Sequence, residues 1–78
     1  MKHDGKNYTC IIGSDLNRDG MYVAISEGPD APVMEVFYSD VTHTMSVTLY
    51  KPDVPLEVVE WAIAIARKRL PVDVGTTG

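Results

Sequence analysis

Several short stretches of this 78-residue chain carry side chains that could do chemistry. The run Asp15-Leu16-Asn17-Arg18-Asp19-Gly20 sets carboxylate and amide oxygens at alternate positions and closes on a glycine. Oxygens spaced in this way converge on a hard cation such as calcium, and the glycine permits the sharp turn. The pattern then departs from a full calcium loop. Its twelfth position falls on Ser26, where a bidentate carboxylate is needed, and Glu27 comes one residue late. Strand-forming residues precede the run, and Arg18 adds a repelling charge. Asp, Asn and Gly are also ordinary turn formers. The run reads as a hairpin connection, with Asp15, Asn17 and Asp19 as the calcium candidate of the chain.

Ser39, Asp40 and His43 bring a hydroxyl, a carboxylate and an imidazole together, the ingredients of acid–base or nucleophilic work. No glycine-rich phosphate loop or oxyanion motif accompanies them, so they read as a polar hairpin turn. A free amino terminus followed by His3 could chelate Cu(II) or Ni(II) in a square plane, as any flexible chain with this start could. Cys10 sits inside an apolar stretch and reads as a small buried hydrophobe, not a nucleophile. No catalytic residue and no cofactor is expected.

The elements that hold these residues follow from periodicity. Tyr8–Ile12, Met21–Ser26, Val33–Ser39 and Met45–Tyr50 are rich in β-branched and aromatic residues and read as strands. Gly13–Gly20, the Gly28–Pro32 stretch and Asp40–Thr44 separate them. Pro55–Leu70 alone keeps a helical period. Asp53 is placed to cap it, Glu57 and Arg67–Arg69 suit the two ends of its dipole, and Pro71 stops it. The predicted fold is α+β: a four-stranded antiparallel meander followed by one C-terminal helix packed on one sheet face. Short connections demand antiparallel pairing. Residues 1–78 form one domain, with flexible ends expected at about 1–6 and 72–78.

The helix-covered face of the sheet should carry Cys10, Ile12, Met21, Val23, Ile25, Met34, Val36, Met45, Val47 and Leu49. At 100° per residue the helix shows one apolar stripe, Leu56, Val59, Ile63, Ala66 and Leu70, expected to cover the sheet. A second stripe, Val58, Trp61 and Ile65, is more than a simple lid requires. The outer sheet face should display Tyr22, Phe37 and Tyr50. These two surfaces are the predicted interface residues.

Size and charge narrow the function. A chain this short builds a thin core. One cysteine excludes an internal disulfide, and no Cys/His cluster offers zinc, which leaves oligomerisation as the source of extra burial. A net charge of −4 argues against nucleic acid and anionic membrane as partners. The N-terminus is polar and no apolar run reaches transmembrane length, so a cytoplasmic protein is expected. The expected function is a small non-enzymatic protein-interaction module, homodimeric or bound to a protein partner. An acidic inhibitor or immunity-type role also suits the charge and size. The alternative is a single-stranded nucleic-acid binder that stacks bases on the aromatic sheet face.

Overall fold

A computed structural model describes residues 1–29 and 31–70. The chain forms β1 (Lys2–His3), β2 (Lys6–Asp15), β3 (Gly20–Glu27), β4 (Pro32–Ser39), β5 (Met45–Leu49) and α1 (Leu56–Arg69). The strands pair antiparallel in the order β1-β2-β3-β4-β5, and the helix lies on one face over β3 and β4. This is the expected α+β meander with its C-terminal helix, extended by one short strand.

The added strand comes from the turn Asp4-Gly5. Both residues have positive φ, 51° and 78°, the backbone of a two-residue type I′ hairpin. It brings Lys2 opposite Asn7 and His3 opposite Lys6. Met1 closes the end, its ammonium donating to the Tyr8 carbonyl at 2.8 Å and its carbonyl accepting from the Tyr8 N–H at 2.7 Å. The segment expected to fray at residues 1–6 is thus paired. The expectations for residue 71 onward lie outside the described residues.

β2 and β3 form the longest hairpin, in register from Tyr8 opposite Glu27 to Asp15 opposite Gly20. Its turn is held by Asp15, whose Oδ1 accepts the N–H groups of Asn17 and Arg18 at 3.0 and 3.2 Å. Two glycines on the outer face of this arm are shielded by aromatic rings. A side chain at Gly13 would meet the Tyr22 ring, and one at Gly20 would meet Phe37 and the Tyr38 carbonyl. An aromatic ring laid over a strand glycine replaces the packing that the glycine lacks.

β3 and β4 carry the core. Val23, Ile25, Met34 and Val36 are buried on the helix side, in register as Val23–Val36 and Ile25–Met34. A bulge where Ile25 and Ser26 face Met34 and Pro32 leaves Val33 as the extra residue. Val33 joins Met34 in the core instead of pointing outward with Glu35.

The helix meets this core with Val58, Ala62 and Ala66, all fully buried, and Leu70 follows at 2% exposure. Residues four apart stack on one side of a helix. The two alanines let the backbone come close to the sheet. Trp61 and Ile65 flank the stripe on one side and Val59 on the other, all half-buried. The expected stripe is therefore rotated. Leu56 is 66% exposed, Ile63 is half-exposed, and Val58, assigned to the outer stripe, is at the centre of the contact. Pro55, not Asp53, occupies the N-cap, and no side chain caps the helix. Asp53 takes a positive φ of 57° in the preceding turn, which turns it away from the capping geometry.

Candidate functional site

The rotation of the helix decides which surface stays open. His3 Nε2 lies 3.7 Å from Glu57 Oε1, so the Glu57–Trp61 side of α1 faces β1 and β2. Trp61 and Ile65 pack against the core, as do Cys10 and Ile12 of β2. Leu56, Val59 and Ile63 lie on the opposite flank of the helix. Among the described residues no helix covers β5 itself. Its apolar row Met45, Val47 and Leu49 points to the helix side of the sheet yet stays 37%, 47% and 56% exposed. These three residues form an exposed apolar strip along the sheet edge.

β5 is also a sheet edge. The Tyr50 N–H donates to the Val33 carbonyl and the Ser39 N–H to the Thr44 carbonyl, at 2.9 Å each. In an antiparallel ladder, bonded pairs alternate along the strand. Thr44, Ser46, Thr48 and Tyr50 therefore turn their peptide groups towards β4. Met45, Val47 and Leu49 turn theirs outward, and among the described residues no strand receives them. Proteins commonly guard such an edge with lysine, proline or a short strand. The opposite end of the sheet has a two-residue strand that carries Lys2; β5 has no charge and no proline.

The outer sheet face is closed by its own side chains. Arg18 reaches from the β2–β3 turn over Phe37, 4.1 Å from the ring centroid. Its Nη2 donates to both Glu35 oxygens at 3.1 Å, and its Nε to Asp15 Oδ2 at 2.6 Å. Glu35 and Phe37 are only 7% and 8% exposed beneath it. Tyr50 remains exposed and donates to Glu35 Oε1 at 3.4 Å. Partial burial and the Glu35 carboxylate raise its phenol above the ordinary range. Of the interface residues expected from the sequence, Val58 and Phe37 have almost no free surface, because each is covered within the protomer. Trp61, Ile65 and Tyr22 are half-buried, and Tyr50 alone is open. The three aromatic rings expected on this face are therefore not exposed together.

The other candidates have local roles. Asp15, drawn towards calcium by its spacing, is engaged by its own turn and by the Arg18 guanidinium, which holds its carboxyl below the ordinary range. Among the described residues no three His, Cys, Asp or Glu side chains gather as metal ligands. The Ser39 Oγ accepts from the Val41 and Thr42 N–H groups at 3.2 Å, and His43 Nδ1 lies 3.0 Å from the Tyr38 hydroxyl. These contacts shape the turn. Cys10 is half-buried, and desolvation pushes its thiol above the ordinary range against the smaller pull of Arg69 and the N-terminus.

A cleft of about 460 Å³ opens at the helix N-terminus, lined by His3, Lys6, Tyr8, Glu27 and Lys51 among others. Lys51 Nζ donates to Glu27 at 2.8 Å and Lys6 lies 3.4 Å from the other oxygen, so Glu27 holds the two cations together. Lys51 first, then Lys6, keeps the Glu27 carboxyl below the ordinary range.

The β5 strip is the surface that sequence reading missed. Its signal was present: an uncharged strand with a regular apolar row at the end of a meander, which must be an edge. What hid it was the assumption that the helix covered all the strands equally. Among the described residues no helix is long and apolar enough to cross a membrane. No family model, curated protein or solved structure matches this chain.

Proposed function

We propose that this protein is a small non-enzymatic interaction module whose partner, a protein, docks on the apolar strip of β5. One observation carries the reading: Met45, Val47 and Leu49 lie on the helix side of the sheet, and among the described residues no helix lies over them. An exposed apolar row beside unpaired backbone groups is the feature that strand addition uses. The non-enzymatic part is supported by the engagement of Ser39, His43 and Asp15 in their own turns. The acidic balance of the chain lies outside the strip, where it serves solubility and disfavours polyanionic partners.

Site-specific photo-cross-linking in the native host tests this. A photoreactive residue at Leu49 should give a protein adduct, and the same residue at exposed Lys2, on the opposite edge of the sheet, should not. Equal labelling from both positions, or none from Leu49, overturns the reading.

A further inference from the structure

We infer that the partner is a second copy of this chain, docked by antiparallel pairing of β5 with β5 about a two-fold axis through Val47. The inference rests on the interaction reading above and specifies the occupant of that strip.

Three features of the seam are self-complementary. The first is backbone register. The outward peptide groups belong to Met45, Val47 and Leu49. A two-fold axis at Val47 sets Val47 against Val47 and Met45 against Leu49, so every outward N–H meets an outward carbonyl. An isologous contact demands this reciprocity. The second is the side-chain face. Opposed residues in an antiparallel pair point to the same side. The two apolar rows therefore merge on the helix side, and Ser46 meets Thr48 on the outer side, with no polar side chain placed on the apolar row.

The third feature is charge. Two chains of net charge −4 repel overall, and an uncharged surface brings no further like charges together. From Met45 to Tyr50 there is none. The remaining open edge is β2 beyond the β1 hairpin, and it is a poorer match. Its helix-side residues Tyr8, Cys10 and Ile12 are already packed against the core, and Lys6 and Asp15 bound the strand. Pairing there would add backbone bonds without covering an exposed apolar row.

In the assembly the two five-stranded sheets become one, and the two helices stand as walls on the same face. Five residues at about 3.4 Å each give a seam of ~17 Å. That is short, at the low end of specific interfaces, so dissociation in the micromolar range is expected.

Sedimentation equilibrium of the full chain at high micromolar concentration should give the dimer mass, shifting to the monomer on dilution. Val47→Lys puts two like charges at the axis and should weaken the dimer by about 100-fold or more, with an unchanged circular dichroism spectrum. Position 47 is half-exposed in the single chain, so the fold should tolerate this change. Register is read independently by oxidation in a Cys10→Ala background. Cysteine at Val47 faces its own copy at a Cα separation near ~5.5 Å, within disulfide reach, and should cross-link. Cysteine at Ser46 or Thr48 should not, and cross-linking there instead overturns the register. A chain that stays monomeric overturns the self-pairing altogether. The two readings then separate at Leu49. An adduct with a different protein preserves the interaction surface and removes the second copy as its occupant, whereas no adduct removes both.

Discussion

Replacing Val58 and Leu56 in parallel distinguishes the observed helix orientation from the one its periodicity suggests. Val58 is fully buried and Leu56 is 66% exposed, although the stripe read from the sequence put Leu56 inward. Val58→Ala removes two carbons from water-free surroundings, about 1.6 kcal/mol at ~0.8 kcal/mol for each. A residual cavity of a few tens of Å³ adds about 1 kcal/mol at ~24 cal/mol per Å³. The expected loss is ~2–3 kcal/mol, a large share of the ~5 kcal/mol that a domain this small can hold. At ~4–8 °C for each kcal/mol, Tm should fall by about 10 °C or more. Leu56→Ala should change stability by no more than ~0.5 kcal/mol. Urea unfolding followed by circular dichroism reads both, at a concentration where sedimentation gives the monomer mass. Dilution matters because any subunit contact adds stability by mass action. An unchanged m-value with a lowered midpoint for Val58→Ala is the expected outcome. Leu56→Ala costing as much as Val58→Ala would mean that the helix buries its other flank.

Two further outcomes follow from the packing and the ion pairs. Gly20→Ala should destabilise by ~1–3 kcal/mol, because its new methyl meets the Tyr38 backbone as well as Phe37; Gly13→Ala should cost less, since only the mobile end of Tyr22 must shift, and thermal melts giving the reverse order would refute that packing. The Glu27 and Asp15 carboxyls are held below their ordinary range by Lys51 and Arg18, so their stabilisation is present above the unfolded carboxylate range and is lost as pH falls through the lowered folded values. Glu27→Gln and Asp15→Asn should therefore flatten the acid limb of the stability–pH curve, most at low salt, and an unchanged limb would show that these exposed pairs contribute nothing.

Much of the fold was legible because strands and helix differ in period. Met21, Val23 and Ile25 alternate, as do Met45, Val47 and Leu49, and each row lies on the face its alternation assigned. The helix is present where Pro55 and the charged last turn place it. Its buried face was not legible, because apolar residues occupy most of its circumference. The true contact is made by Val58 and two alanines, which a reading weighted towards large side chains passes over. The Asp4-Gly5 turn had a plain hairpin signal, but a two-residue strand has no period to read. Phe37 looked exposed by alternation. Its cover, Arg18, comes from the far turn of a different hairpin, a contact that no local pattern contains. Val33 shows the same limit, since a bulge changes the face of one residue without any change of composition. The candidate surface was half legible in this sense: β5 was identified as a strand with an apolar row, while its lack of a covering helix depended on where α1 settled.

The most direct measurement is the photo-cross-link from Leu49 in the native host, with Lys2 on the opposite sheet edge as its control. Labelling confined to Leu49, with an adduct at twice the chain mass, is the outcome expected of a β5 surface occupied by a second copy. Labelling from Lys2 alone, or from neither position, would contradict an interaction surface at β5.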